Sequence, residues 1–393
     1  MDVNKRIYFN ISVVREWKRW KNSRTLHFIT IIGPLISFIL AAWIFSSNIP
    51  RELPVAIVDM DNTSMSRQIA RMIDATPIAK INRNFENLKV AQFALESGDI
   101  EGIIFIPKYT EKDVFQGKGS TIVLYFNNGN VLKGGLLNSG VRKAISTYSS
   151  AIKLQMQLKS GLTYNQSISR IMPVQLSQVL LFNPFTSYSY YLTAALMPVL
   201  LIVFVLIGSI YVIGDELYRG TGPNWIQNGG GNFLIALLGK LLPYTFLYFI
   251  MAIIMDIILF YNLGMPLRGH LVIILLSEFF LIVTYQCFAI FLIGLTSNLR
   301  LSLSLGSAYS MLALTYSGLT FPIFGMPVFA QIFSKLLPFT YWIKILISQS
   351  LRGEPIMYTV NSFSAFFVFI IFGLLFISRL KNLLLDSKCW GKI

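Results

Sequence analysis

The sequence predicts a membrane α-helical bundle of six transmembrane helices with an inserted α/β extracytoplasmic domain. Of 393 residues, 54% are hydrophobic and only 13% are charged, against roughly a quarter charged in a soluble domain. Six stretches are apolar and long enough to cross a bilayer, and one hydrophilic segment, 48–190, separates the first from the second. Because no soluble core of this size could bury so much apolar surface, lipid is the solvent that the composition requires.

The predicted spans are continuous apolar runs that would each cover the hydrocarbon thickness at about 1.5 Å per residue. An even number of spans places both termini on one side, and the basic flanking residues identify that side as the cytoplasm. We therefore expect a multi-pass protein of the bacterial inner membrane. The first span lies in 26–45 and the other five in 192–378; the six run approximately Leu26–Phe45, Leu192–Ile213, Leu241–Tyr261, Leu271–Leu295, Leu301–Phe324 and Val360–Ser378.

Residues 1–25 predict an amphipathic connecting helix on the cytoplasmic membrane surface. Apolar residues recur at helical spacing from Val3 to Trp17, and seven Lys or Arg fill much of the remainder. A solvated basic leader is the alternative, against which Trp17 and Trp20 favour the membrane interface. Much of the net charge of +15 lies here and in the basic cytoplasmic tail, 379–393. Charge beside apolar spans is a topology signal, so nucleic-acid binding is not expected.

The segment 48–190 has the pattern of a folded α/β domain. LPVAIVD (53–59) is a short apolar run that predicts a buried strand ending at Asp59. Strands and helices then alternate, which indicates a small sheet covered by helices. No cysteine lies in the segment, so it has no internal disulfide. Its other predicted elements are a helix capped by Thr63 or Ser64 and running to Asp74, a strand at Ala79–Ile81, a helix at Asn87–Ser97, strands at Gly102–Ile106 and Thr121–Phe126, and a long helix at Gly134–Ser160.

The end of the membrane region departs from plain apolar runs. The fifth span is rich in Ser, Gly and Thr, which lets helices approach closely in lipid and predicts a helix that faces other helices. The segment 325–350 is apolar but interrupted by Lys335, Pro338 and Lys344. This pattern favours an outer re-entrant or interfacial hairpin over a further span.

No catalytic or nucleotide-binding signature is present in the sequence. Gly239-Lys240 lacks the other positions of a phosphate-binding P-loop, and the run 229–231 is predicted to be a flexible loop. Two histidines, His27 and His270, are too few for a metal site. We therefore expect no enzymatic activity, no metal and no cofactor in this chain. Any energy source comes from another subunit or from an ion gradient.

Two acidic residues lie within predicted spans, where an ionised acid costs several kcal/mol. Asp256 is in the third span and Glu278 in the fourth. Consecutive antiparallel helices place both at similar depth in the outer half, facing each other or a wet cavity. A role in the translocation path and a packing role both stay open.

Three segments, in this order, carry a resemblance to a known family. They are LPVAIVDMDNTSMSRQIARMIDATP (53–77), DELYRGT (215–221) followed by LLGKLLPY (237–244), and SGLTFPIFGMPVFAQIFSKLLPFTYWIKILISQSLRG (317–353). The chain resembles ABC-2 type transporter permeases with a large extracytoplasmic domain between the first two spans, a family of drug- and lipid-type exporters. The resemblance covers nearly the whole length.

The resemblance implies an exporter built from two permease chains and two cytosolic ABC ATPase subunits. The substrate would be hydrophobic or amphipathic, and ATP would be bound only by the partner subunit. In this family the loop between the second and third spans, here 214–240, couples the permease to the ATPase. By resemblance the coupling role falls to Glu216, Arg219, Gly220 and Thr221, with Lys240 at the membrane re-entry.

One departure from the family pattern concerns this coupling loop. After Thr221 the family continues with an apolar helix-forming segment, whereas this chain reads GPNWIQNGGGN (222–232), poor helix material. Either docking is altered, or the chain pairs with a second, more typical permease. A homodimer and a heterodimer both stay open, as does a periplasmic adaptor bound to the outer domain.

Two other classes of function fit the residues. An ion-coupled secondary transporter would use the gradient directly, but it usually has more intramembrane charges and an internal repeat. A non-transporting membrane receptor would use the outer domain to bind a ligand. The substrate itself is not given by the sequence.

Overall fold

A computed structural model of the chain describes residues 3–46, 50–173, 176, 181–183 and 187–391. It divides into two compact units. The first, here called the helical unit, comprises 1–48 and 180–393, and the second, the α/β unit, comprises 49–179.

Within the described part of the helical unit, five helices are long and apolar enough to cross a membrane. Even the shortest, at 21 residues, reaches about 30 Å, the thickness of a hydrocarbon core. We number the helices of the whole chain in order. The five spans correspond to α2, Arg24–Ile44; α8, Tyr188–Tyr218; α10, Phe233–Asn262; α11, Leu271–Thr296; and the pair α15, Val360–Leu374, and α16, Ile377–Leu385, which together lie in the span Ile356–Leu385.

The predicted fifth span, Leu301–Phe324, corresponds to a shorter helix, α12, Leu299–Tyr316. The chain leaves the helix at Ser317, and Gly318 adopts a left-handed backbone with φ +89°. α12 falls short of the other five in length and apolar content, so a sixth span stays a prediction. The close packing expected of it is confirmed, because a Cβ on Gly306 would lie 2.6 Å from Ile210 of α8.

Shorter helices complete the helical unit. The expected amphipathic helix is α1, and the interrupted segment 325–350 forms two helices joined at Leu336 and Leu337. The coupling loop contains a helix of seven residues, where poor helix material had been expected. These elements are α1, Val3–Asn22; α9, Gly222–Asn228; α13, Val328–Lys335; and α14, Pro338–Ile347.

The expectation for α9 was wrong because its one proline and its glycines lie at the ends of the helix. Pro223 is in the first turn, where a missing N–H costs nothing. Gly230 and Gly231 have φ of +66° and +76° and follow the last turn. Their N–H groups donate to Gln227 O and Ile226 O at 2.8 and 3.1 Å, a Schellman termination.

The α/β unit is a four-stranded mixed sheet in the order β2-β1-β3-β4. The first three strands are parallel and β4 is antiparallel to β3. Each strand and helix predicted for this unit is present with small differences in its bounds, and two short helices, at 110–115 and 164–171, were not predicted. Their bounds are β1, Leu53–Asp59; α3, Ser64–Asp74; β2, Ala79–Asn84; α4, Leu88–Glu96; β3, Gly102–Ile106; α5, Thr110–Phe115; β4, Val123–Phe126; α6, Val131–Lys159; and α7, Tyr164–Ile171.

Side chains of β1 alternate between two hydrophobic cores, as the period of two requires. Val55 and Ile57 pack with α3 and α6, whereas Ala56 and Val58 pack against α4. Helices therefore cover both faces of the sheet, which is the arrangement that parallel strands favour.

Candidate functional site

Helix α1 lies along the amino-terminal half of α10, and we call this end of the helical unit the α1 end. The two helices approach closely, since a Cβ on Gly239 would lie 2.5 Å from Ser12 Cβ. Trp20 Nε1 donates to Thr30 Oγ1 of α2 at 3.0 Å. The apolar stripe seen in the sequence of α1 is only partly covered, because Ile7 and Val14 remain half exposed.

A cluster of ion pairs, here called the buried charge cluster, joins α1 to α8 and α10. Lys240 Nζ lies 2.7 Å from Glu16 Oε1 of α1 and 2.8 Å from Glu216 Oε1 of α8. All three side chains are at most 2% exposed. Lys240 also lies 4.6 Å from the centre of the Trp225 ring of α9, a cation–π distance.

Two arginines of α1 complete the cluster. Arg15 Nη2 donates to both carboxylate oxygens of Glu216 at 2.9 and 3.0 Å. Arg19 pairs with Asp215 and lies 3.2 Å from Glu216 Oε1. Burial opposes the charge of Arg19, but the carboxylates of Glu16 and Glu216 outweigh it and raise the pKa of this guanidinium.

Charge in the cluster is balanced, with Glu16, Asp215 and Glu216 facing Arg15, Arg19 and Lys240. A buried pair gains little net stability over apolar packing, but removing one partner leaves an uncompensated charge at a cost of about 3–5 kcal/mol. The cluster therefore fixes the position of α1 on α8 and α10 more than it adds stability.

The structure gives the five predicted coupling residues different roles. Glu216 and Lys240 are inside the cluster, so their side chains present no surface to another protein. Thr221 supports them, because its hydroxyl donates to Glu216 Oε2. Arg219 is on the rim: its side chain is 63% exposed and its Nε donates to Asp215 Oδ1 at 2.9 Å, which raises its pKa.

Gly220 has a backbone role at the end of α8. Its φ is +67°, and Thr221 N–H donates to Glu216 O at 3.0 Å, which is the Schellman ending that favours glycine. A Cβ at this position would lie 2.7 Å from the Trp390 ring. Gly391 N–H in turn donates to Tyr218 O at 3.1 Å, so the carboxyl-terminal residues pack on the loop.

Several residues of this site were not identified from the sequence. Arg15 and Arg19 were counted only among the basic residues of the predicted connecting helix, and Glu16, Trp225 and Trp390 were not assigned any role. The one available signal was Glu16, an acid with helical apolar neighbours in a strongly basic segment. Its partner, Lys240, lies 224 positions away in the sequence, so no local pattern could reveal the pair.

Asp256 and Glu278 lie near each other, which is one of the two arrangements that the sequence allowed. Both side chains are buried, and the two carboxyl groups are close enough to influence each other electrostatically. In the described part of the chain, their four oxygens have no hydrogen-bonding neighbour other than each other. Buried acids without a protein partner are costly, and two that face each other can share a proton or hold a cation.

No metal centre accompanies either group of residues. Among the residues that the structure describes, no cluster of three or more His, Cys, Asp or Glu side chains is arranged to hold a metal ion. The carboxylates of the buried charge cluster already have cationic partners.

Comparison with known proteins identifies the family of the chain. A family model described as "ABC-2 family transporter protein" matches residues 24–379. "Probable multidrug ABC transporter permease YbhS" of Escherichia coli (strain K12) is 22% identical over 271 residues, which cover 68% of this chain and 69% of that protein. The protein of the same name from Escherichia coli O157:H7 matches equally. Because the family model covers most of the sequence, the chain belongs to the ABC-2 family of transporter permeases.

Proposed function

We propose that this chain is the membrane-spanning permease subunit of an ATP-binding cassette exporter driven by a separate ATPase subunit. Permeases of this family in general act as dimers with an ATPase partner. The observation that supports the coupling step is the buried charge cluster, which ties α1, α8 and α10 together beside the predicted coupling loop. Motion imposed on that loop is thereby passed to the ends of two spans.

The cluster supports a division of labour within the coupling loop. Glu216, Thr221 and Lys240 hold the loop against the helices, and Gly220 lets the chain turn from α8 into α9. Arg219 and the exposed parts of α9 and α1 are available to contact the ATPase. A groove of about 580 Å³, lined by Ile11, Val14 and Asn228 among others, follows the line between α1 and α9.

The orientation we propose places the α1 end in the cytoplasm of a bacterial cell with an inner membrane. Both termini then lie inside, and the basic residues of α1 and of the tail face the cytoplasm, in keeping with the positive-inside rule. The α/β unit would lie on the outer side, where a periplasmic adaptor could dock. A second permease chain, identical or not, would complete the translocation path.

The proposed cargo is a hydrophobic or amphipathic compound taken from the cytoplasm or the inner leaflet. The multidrug designation of the Escherichia coli relative supports this class. Among the described residues Asp256 and Glu278 have no basic partner, which favours a role for them in the translocation path over a packing role. A cationic amphipathic compound would supply the missing counter-charge.

Transport in inverted membrane vesicles tests the proposal. The chain would be co-expressed with an ABC ATPase encoded beside it, and uptake of an amphipathic dye measured with ATP present and the proton gradient dissipated. We expect ATP-dependent uptake that is abolished when the ATPase cannot hydrolyse ATP. Uptake that needs the proton gradient, or that continues with no ATPase, would contradict the proposal.

The docking role of Arg219 has a separate test. Replacing it by Gln should lower co-purification of the ATPase severalfold while leaving the permease folded, because the side chain is mostly exposed and a neutral amide adds no negative charge beside Asp215. Lys381→Gln on α16, another loss of an exposed basic charge at the same end but outside α1 and α9, serves as the matched control. Equal losses in both variants would point to general charge attraction and not to docking at this position.

A further inference from the structure

Helices α13 and α14, here called the hairpin, carry two lysines on the surface of the helical unit. Lys335 is the last residue of α13, and Lys344 lies in the last turn of α14. Both side chains are exposed. The surroundings of these two charges depend on how deep the hairpin lies along the neighbouring spans.

A contact of α12 places the joint of the hairpin close to the middle of α11. Tyr309 of α12 donates its hydroxyl hydrogen to Leu336 O at 2.7 Å. Its ring stacks on Phe288 of α11, with the ring centres 4.2 Å apart. Phe288 lies four to five positions from the midpoint of α11, which is about 7 Å along the helix axis.

A contact of α14 gives the same depth from the other side. The ring centre of Tyr341 lies 6.1 Å from that of Phe369. Phe369 is one to two positions from the midpoint of the span Ile356–Leu385. The edges of a hydrocarbon core are roughly 15 Å from its centre, further than the stem of Lys335 can reach from the joint. An ammonium group that faces lipid tails at this depth costs several kcal/mol.

Tyr341 brings the two lysines together. Its hydroxyl donates to Lys335 O at 3.2 Å, and Lys344 Nζ lies 5.6 Å from the centre of its ring, a cation–π distance. Because Tyr341 is nearer to the joint than Lys344, this contact turns the ammonium group of Lys344 toward the middle of the span. The hairpin therefore presents two cations beside one aromatic ring, well inside the hydrocarbon core.

This chain has no carboxylate that could neutralise them. Of the eight acids in the helical unit, one precedes α1 in the sequence, four lie at the α1 end, and Glu354 follows α14 and pairs with Arg352. The remaining two, Asp256 and Glu278, are at most 4% exposed. A second copy of the chain carries the same residues, so it presents no exposed carboxylate at this depth either. The counter-charge must come from another molecule.

We propose that Lys335, Tyr341 and Lys344 bind the acidic head group of an amphiphile that enters from the bilayer. The head group, such as a phosphate, sulfonate or carboxylate, pairs with both ammonium groups. The hydrocarbon part lies along Ile332 and Leu336, each of which is 56% exposed. A head group with charges of both signs would also suit the acid pair of α10 and α11. Only the step from bound amphiphile to exported cargo rests on the proposed function.

Photolabelling of the full chain in dodecyl maltoside micelles tests the proposal, with no ATPase present. This detergent is uncharged, so its head group does not compete for the lysines. The probe is a hexadecyl sulfonate with a diazirine in its chain. The matched probe is the hexadecyl alcohol with the same diazirine, which has the same hydrocarbon part and no charge. Labelled peptides of α13, α14 and α15 are quantified by mass spectrometry.

Three double variants separate recognition of charge from other effects. Lys335→Gln with Lys344→Gln removes both charges, and we expect labelling by the sulfonate to fall about tenfold while labelling by the alcohol stays unchanged. Lys335→Arg with Lys344→Arg keeps both charges and should retain labelling by the sulfonate. Lys381→Gln with Lys388→Gln removes the same charge from exposed residues near the carboxyl terminus and should change neither probe.

Four results would overturn the proposal. Undiminished sulfonate labelling in the hairpin Gln variant would mean that the lysines recognise no anion. An equal fall in the carboxyl-terminal variant would indicate general charge attraction, and an equal fall with both probes would indicate a changed shape of the hairpin. In the unsubstituted chain, labelling by the sulfonate no stronger than by the alcohol would show no preference for an acidic group. None of these measurements requires transport, so a failure here leaves the exporter proposal untouched, and a failure of ATP-driven export leaves the binding result standing.

Discussion

The ammonium group of Lys240 lies between two carboxylates, 2.7 Å from Glu16 and 2.8 Å from Glu216, and has no exposed surface. Each of the three residues belongs to a different helix. One side chain therefore holds α1, α8 and α10 in a fixed relation at the end of the helical unit where the coupling loop begins.

Lys240→Met should destabilise the chain by about 3–5 kcal/mol, because it leaves two buried carboxylates beside each other without this partner. The expected result is a large fall in thermal stability in detergent, which fluorescence-detected size exclusion would measure. The double variant Lys240→Met with Glu16→Gln is the informative control. It removes one charge of each sign and should recover most of the lost stability. If the double variant is as unstable as the single variant, packing of the lysine stem dominates.

The Schellman glycine at the end of α8 gives a second prediction. Gly220→Ala meets two penalties, a left-handed backbone worth about 1–2 kcal/mol and overlap with Trp390, for which overpacking costs about 1–3 kcal/mol. Gly231→Ala is the matched control, since its φ is +76° but nothing lies within 4 Å of the added Cβ. Thermal stability should fall more for Gly220→Ala than for Gly231→Ala.

A further substitution separates the two penalties. Adding Trp390→Ala to Gly220→Ala should recover the packing part and leave the backbone part. If Gly220→Ala is no less stable than Gly231→Ala, the contact between Trp390 and the loop does not exist in the membrane.

Local sequence patterns predicted the parts of this chain that depend on neighbours along the sequence. β1 was read correctly as Leu53–Asp59 because an apolar run closed by an acid suffices to indicate it. α3 was read correctly because Thr63 is an N-cap with its hydroxyl accepting from Ser66 N–H. Both depend on residues only a few positions apart.

The buried charge cluster could not be predicted in this way. Glu16 and Lys240 meet only after several helices have packed, so neither carries a local mark of its partner. Asp256 and Glu278 could be expected at similar depth because they occupy consecutive antiparallel spans, but depth alone does not decide whether two acids face each other or a cavity.

The turn that follows β1 yields a prediction for the α/β unit. Asp59 Oδ1 accepts from the N–H groups of Asp61 and Asn62 at 3.0 Å each, and Oδ2 accepts from Ser66 Oγ. Asp59→Ala leaves these donors without their acceptor and should destabilise the unit by about 1–3 kcal/mol. Limited proteolysis of the full chain would measure it, as faster cleavage within 50–173.

Glu96→Ala is the control for this turn, because Glu96 is an exposed acid at the end of α4 and should change the cleavage rate little. Equal protection of both variants would mean that the backbone of the turn does not need the Asp59 carboxylate.

The acid pair allows a test that separates transport from packing. Asp256→Asn and Glu278→Gln keep the shape of each side chain but remove a buried charge that has no basic partner in the described part of the chain. Thermal stability should therefore be unchanged or higher, since an unpaired buried charge opposes folding.

ATP-dependent export of ethidium, a cationic dye, should fall about tenfold, whereas export of a neutral amphipathic dye should stay within about twofold, because only the cation gains from a facing carboxylate. Glu354→Gln, which removes an acid outside the described spans, should leave both rates unchanged. If the amide variants lose stability and export of both dyes falls equally, the pair has a packing role, since a structural role cannot distinguish a cation from a neutral molecule.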